Sequence, residues 1–359
     1  MHSKKIFLVI TAFFMLFSAC KKDQPVSMDD GGAGGPTAYT VPLPSWVLDS
    51  IGPMTPAPNN ATTIEGVALG RRLFYDKMLS NDYSMSCGSC HKQENAFSDP
   101  RPFSVGTDGS VGSRNAMAVI NLGWEHQFFW DGRADALETQ AFGPVANPIE
   151  MRNTWPVVVD RLQADADYPA LFEAAFGTST IDSTLVVKAI GQFERTLVSF
   201  SSRFDSFHHQ GDSSALNAQE QAGLTIFMRD GHCVDCHRDE LMFDHSQRNN
   251  GLDMDPVDGG LGALTGNPND WGKFKVPTLR NIAVTGPYMH DSRFNTLEEV
   301  VNFYAHNVQV NNPHLDAHMD PWRFGLVNLS PQDELDLVAF LHTLTDNGFL
   351  TNPAFGPPQ

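Results

Sequence analysis

The pattern Cys-x-x-Cys-His occurs twice, as Cys87-Gly-Ser-Cys90-His91 and Cys233-Val-Asp-Cys236-His237. No other feature limits so strongly what this chain can fold around. The two thiols are spaced to bond the vinyl groups of one porphyrin, and the imidazole that follows is placed to bind its iron, so each motif reads as the attachment signal of a covalent c-type haem. A zinc site or a redox dithiol uses similar residues. Zinc, however, wants four ligands brought together, and each of these clusters already ends in its own His. The chain has five cysteines; four belong to the motifs, which leaves no pair for a structural disulfide.

The fifth, Cys20, has a different setting. Lys4 and Lys5 precede an apolar run from Ile6 to Phe17, then Ser18-Ala19-Cys20, which gives a charged n-region, an h-region and a small-residue cleavage site. That run is too short to span a bilayer as a permanent helix. Cys at the first mature position resembles a bacterial lipoprotein signal over residues 1–19, although Phe17 stands where Leu is more usual. Cys20 would then carry lipid and anchor the protein to a membrane. The alternative is an ordinary secretory peptide with a leftover thiol. Either reading exports the protein, to a periplasm-facing or cell-surface position. Residues 20–60 are rich in Gly, Pro, Asp and Asn and are expected to form a flexible tether.

Export removes Lys4 and Lys5 and no acid, so the formal charge moves from −18 to −20. Nucleic acid is an unsuitable partner for such a chain, whereas a donor protein with a basic patch would be steered toward it. About 300 residues remain after the tether, enough for two domains.

Each haem motif follows a similar lead-in helix, which suggests an internal duplication. Thr62-Thr-Ile-Glu65 reads as a capping box before Val67, Leu69, Leu73 and Phe74. Asn217-Ala-Gln-Glu220 precedes Leu224, Ile226 and Phe227 in the same way. Near the end, Ser330-Pro331-Gln-Asp333 offers an N-cap, Pro at the first helical position and acid in the first turn, followed by Leu335, Val338, Leu341 and Leu344. The expected fold is mostly α with little sheet: two cytochrome c-like haem domains over 61–210 and 211–346, long ordered loops, and a tail over 347–359.

Two blocks bring a family into view. Phe129-Trp130-Asp-Gly-Arg133 continues to Gln140, Pro144 and Glu150, and Val276-Pro-Thr-Leu-Arg-Asn281 runs through Gly286-Pro-Tyr-Met-His290 to Leu297-Glu-Glu-Val300. From about Leu69 to Asp346 the chain resembles the bacterial di-haem cytochrome c peroxidases and their MauG-type relatives. The resemblance implies that the N-terminal haem reacts with hydrogen peroxide and the C-terminal haem relays electrons to it. His91 and His237 become the proximal ligands. Glu150, with Gln140, lines the distal pocket over the first haem, where a positioned carboxylate serves as general base and acid. Trp130 maps between the haems, either as packing alone or as packing with an electron-relay role. The resemblance also implies one calcium ion held through Asn115, Thr285 and Pro287; neutral oxygens suit such a hard cation, and an ordinary turn is the alternative.

Two departures shape the expected chemistry. Many peroxidases of this family place a His over the resting peroxidatic haem, and the ungapped count from Trp130 puts Thr107 there. A hydroxyl is a poor iron ligand, so the first haem should be open at rest, without reductive activation. At the second haem the usual Met position, fourteen residues after His290, is Tyr304, as in MauG-type proteins. Met289, His290 and Met319 are the substitutes, and His306, His314 and His318 read mostly as surface imidazoles. Three functions follow. The first is a peroxidase fed by a small cytochrome or cupredoxin, the second a MauG-like oxidase acting on a protein or small molecule, the third a plain electron carrier. Pairing into a homodimer is a further expectation from the family.

Overall fold

Two helix pairs, one behind each haem motif, organise the residues that this computed structural model describes, 35–358. Helix Ile64–Tyr75 crosses Ser183–Glu194, and helix Ala218–Met228 crosses Pro331–His342. Both crossings are closed by a glycine. A Cβ on Gly70 would lie 1.9 Å from the Ala189 carbonyl oxygen, and one on Gly223 would lie 1.9 Å from that of Asp336. The backbones approach too closely for any side chain there. The partner helices present Phe193 and Phe340, four residues beyond those carbonyls, to the same crossings. The duplication expected from the lead-in helices is therefore a duplication of the whole crossed pair.

The caps explain where the helices begin. Asn217 with Glu220, and Ser330 with Asp333, form reciprocal capping boxes as read from the sequence. The first helix starts one residue later than expected. Thr63, not Thr62, accepts from Gly66 N, because the Thr62 carbonyl pairs with Tyr39 N and Glu65 is drawn to Thr37 N.

One apolar core gathers Leu69, Leu73 and Phe74 with Val158, Phe172, Val187 and Phe193, using helices Trp155–Ala164 and Tyr168–Phe176 as its outer wall. A second gathers Phe227, Leu297, Val301, Leu337 and Phe340. Among the described residues, sheet is confined to one antiparallel pair of two-residue strands, Gln247–Arg248 with Phe274–Lys275. The mostly helical expectation holds.

The two ends of the described region are more structured than their composition suggests. The compact unit begins at Gly35, inside the stretch expected to be a tether. Ala38 bridges to Thr63, Val47 is fully buried with Trp124, Phe200 and Phe243, and Trp46 stacks on His209 at 3.7 Å. A few large apolar residues among the prolines suffice to dock this strap. The expected tail also packs: Phe349 joins the first core, and Arg71 and Tyr75 donate to the carbonyls of Gly356 and Phe355. The leader and Cys20 lie outside the described residues. Among the described residues, no helix is long and apolar enough to cross a membrane.

The two halves exchange contacts under an offset of 160 positions. Asn115 N donates to His290 O at 2.7 Å, and Lys275 N donates to Trp130 O at 2.8 Å. The bridge Phe128–Ala134 repeats as Tyr288–Phe294, and Asn121 (φ 55°) repeats as Asn281 (φ 59°). Between those two asparagines, Ser199 bonds to both side chains and to Asp346, a buried polar lock. Beside it Arg280 pairs with Asp205 through two 3.0 Å bonds and lies over the Phe200 ring.

Candidate active site

Each motif presents its histidine in the tautomer that binds iron. His91 Nδ1 lies 2.7 Å from the Phe97 carbonyl oxygen, and His237 Nδ1 lies 3.1 Å from that of Met242. A carbonyl only accepts, so Nδ1 carries the proton and Nε2 keeps its lone pair for a metal. Phe97 and Met242 both have positive φ, 58° and 57°, which turns those carbonyls back onto the rings. Burial lowers both imidazole pKa values and keeps the rings neutral. None of the four motif cysteines is paired in a disulfide. Among the described residues, no three of His, Cys, Asp and Glu converge as a metal site, so the zinc alternative has no ligand set.

A cavity open to solvent lies against the second motif. Cys233, Cys236 and His237 enter it beside Phe227, Leu297 and Leu341. Apolar walls with a few convergent polar groups suit a porphyrin. Tyr304 lines the same cavity, on the π-helical turn Phe303–Asn307 that continues helix Leu297–Asn302. Such turns insert a residue and re-aim a side chain, often at functional sites. Tyr304 Oη accepts from Asn250 Nδ2 at 2.9 Å, and the Met289 sulfur lies 3.9 Å from the same amide. Burial pushes the phenol up to about 12. His290, another candidate ligand, is instead stacked on Phe274 at 3.8 Å. Met319 is buried at the cavity wall.

The first site differs at the matching positions. Under the 160-residue offset Tyr304 corresponds to Pro144, whose ring offers iron no donor atom. Gln140 and Pro144 lie one turn apart on helix Leu137–Ala146, and Glu150 follows in the turn after it. Burial raises the Glu150 carboxyl above its ordinary range, while Asn147 Nδ2, bonded to Oε1 at 2.6 Å, and the charge of Arg133 oppose this. Glu150 also contributes to the upward shift of both Cys87 and Cys90. Its charge therefore lies within electrostatic range of the first haem motif.

Thr107 N donates to Glu150 O at 3.0 Å, and its hydroxyl is buried without a partner. The Thr107 loop is a tight hairpin closed by the Val105–Val111 bridge and tied down by Arg152 to Asp108. A Cβ on Gly106 would sit 2.4 Å from Ile149 O, so the loop presses on the backbone that carries Glu150. The orphaned hydroxyl is one a bound ligand or water could satisfy. These residues fit a haem with an open distal face.

Trp130 stands between the halves: Nε1 donates to Asn115 O at 2.9 Å, and the ring meets His290 edge-on at 6.5 Å. Asn115, Thr285 and Pro287 are brought together at one wall of the cavity. Asn115 Nδ2 lies 3.3 Å from Pro287 O, and turning the amide over would bring Oδ1 to the same point. The corresponding positions in the other half hold Lys275, Glu125 and Gln127, where the Lys275 ammonium pairs with Glu125 at 2.5 Å. One half thus supplies its own cation where the other offers neutral oxygens. Asn250 and Trp322, which donates to Tyr304 O at 2.7 Å, were not singled out in the sequence. Neither carries a motif, so only their contacts reveal them.

Residues 64–214 match the family model described as di-haem cytochrome c peroxidase. The chain is 37% identical over 298 residues to the methylamine utilization protein MauG of Methylorubrum extorquens, covering 79% of each. The chain belongs to this family. It is 36% identical to the cytochrome c551 peroxidase of Nitrosomonas europaea, covering 80% of this chain and 81% of that one. A crystal structure of a MauG-like protein associated with microbial copper homeostasis superposes with a TM-score of 0.78 at 37% identity, over 89% of this chain and 99% of that one. Family membership makes the protein an oxidoreductase with two c-type haems.

Proposed function

We propose that the protein reduces hydrogen peroxide at its N-terminal haem, with electrons relayed through the C-terminal one. When bound, the first haem supplies the iron that takes up peroxide, and the second holds and passes electrons. The observation that carries this reading is the asymmetry at one position: Tyr304 in the second half against Pro144 in the first, with Glu150 half-buried in the turn that follows the Pro144 helix. Glu150 Oε1 is engaged by Asn147, which leaves Oε2 to take a proton from peroxide and return it to the departing oxygen. Gln140, on the same side, orients the oxidant. Two electrons and two further protons complete two waters.

Trp130, bonded to one half and edge-on to the other, relays electrons between the two sites. Tyr304 would supply an oxygen ligand to the second haem, whose ferric iron would favour the phenol's anion against the upward push of burial. Asn115, Thr285 and Pro287 bind calcium and fix the two halves around the Trp130 wall. The electron donor is a small cytochrome or cupredoxin, and a lipid on Cys20 holds the exported protein to its membrane.

Tyr304 also favours a second reading, in which peroxide oxidises the protein to modify another molecule as MauG-type proteins do. An anionic oxygen ligand favours oxidised iron and would prolong the oxidised state. Rapid mixing with peroxide separates the readings. Fast return to the resting spectrum on adding a reduced cytochrome supports the peroxidase. An oxidised state that outlives the donor contradicts it and supports the second reading.

A further inference from the structure

Trp322 belongs to no family block, yet it lines the second haem cavity and is itself partly exposed. Its ring lines the cavity, 6.2 Å from the Tyr304 ring and 6.3 Å from His232, the residue just before Cys233. Its Nε1 donates to the Tyr304 carbonyl at 2.7 Å, which fixes the indole on the π-helical turn. The other face is not sealed. Trp322 is only half-buried on the short helix Asp320–Arg323, and Phe324 and Leu326, just after it, are 69% and 65% exposed.

We propose that Trp322 is the surface relay through which electrons enter the second haem site. This rests on the peroxidase reading above. Indole is the most easily oxidised neutral side chain within contact of both Tyr304 and solvent. After peroxide has oxidised the di-haem protein, Trp322 gives one electron to the Tyr304-side haem site. The indole cation keeps its N–H proton, held by the Tyr304 carbonyl. An external one-electron donor then returns the electron, leaving Trp322 unchanged. Two such passages supply the two electrons that one peroxide needs.

The mechanism has a signature in the absence of donor. With peroxide alone, the electron lost from Trp322 is not replaced, and the indole is exposed enough to react with water or oxygen. Peptide mapping of the haem-loaded protein after peroxide treatment should find oxygen added at Trp322 ahead of Trp46, Trp124 and Trp155. Trp322→Phe should react with peroxide at the wild-type rate but be re-reduced by a reduced cytochrome c about tenfold more slowly. Trp322→Tyr, which keeps an oxidisable ring, should recover much of that loss. Haem content and the resting spectrum report that each variant is folded. Oxidation spread evenly over the tryptophans, or re-reduction of Trp322→Phe at the wild-type rate, overturns the relay. A wild-type protein that fails to respond to peroxide at all would instead overturn the parent reading, and the relay with it.

Discussion

Replacing Glu150 by Gln isolates the proton-transfer step. The amide keeps the size of the carboxyl and an oxygen to accept from Asn147 Nδ2, now 2.6 Å from Oε1. Packing and the Thr107 contact should therefore survive, and only the ability to hold a proton is lost. A positioned general base contributes about 10²- to 10⁴-fold in rate, equal to about 3–5 kcal/mol of barrier. The second-order rate of reaction with peroxide, followed by stopped-flow absorbance at the haem bands, should drop by that factor while haem content stays at two per chain. A pH dependence accompanies it. Burial raises the carboxyl above its ordinary 4.5, and the base acts only when ionised. The wild-type rate should thus fall as pH drops through a value above 4.5, and the variant should lack that limb. A rate within a few-fold of wild type, or a limb that persists in the variant, would refute the role of Glu150.

Tyr304→Phe removes the phenolic oxygen while Trp322 still anchors the backbone; the low-spin haem spectrum should change, and an unaltered one would mean Met289 or another residue is bound. Asp205→Ala strands the Arg280 guanidinium, 1% exposed, in the interior; urea unfolding of the haem-loaded protein should show a loss of about 3–5 kcal/mol, and under about 1 kcal/mol would contradict the buried-pair reading. Calcium should be found at one ion per chain by elemental analysis of protein purified without chelator, and Asn115→Ala should lose it; no calcium in the wild type would end that assignment.

Much of the site was legible because haem attachment demands short, local spacing. Cys87, Cys90, His91 and their counterparts declare themselves, whereas Glu150 is pointed to only by the family resemblance of the block that starts at Trp130. The capping residues Asn217 and Ser330 were equally readable, since a cap acts within one turn. Thr62 misled because its carbonyl is claimed by Tyr39, a contact between chain segments that no local pattern encodes. The strap around Val47 and the docked end at Phe349 escaped for a related reason: a stretch rich in Gly and Pro hides a few apolar anchors whose partners lie far along the chain. Asn250 and Trp322 act through single contacts to Tyr304. The crossed helix pair of the first half was half-visible, but Gly70 against Ala189 takes meaning only once the two helices meet.

The central claim is an asymmetric pair of irons, one coordinated on both faces and one open. Electron paramagnetic resonance of the resting ferric protein, with and without cyanide, tests it most directly. The account predicts two haems per chain, one high-spin and converted to low-spin by cyanide, the other low-spin and unmoved. Two low-spin signals indifferent to cyanide would contradict it.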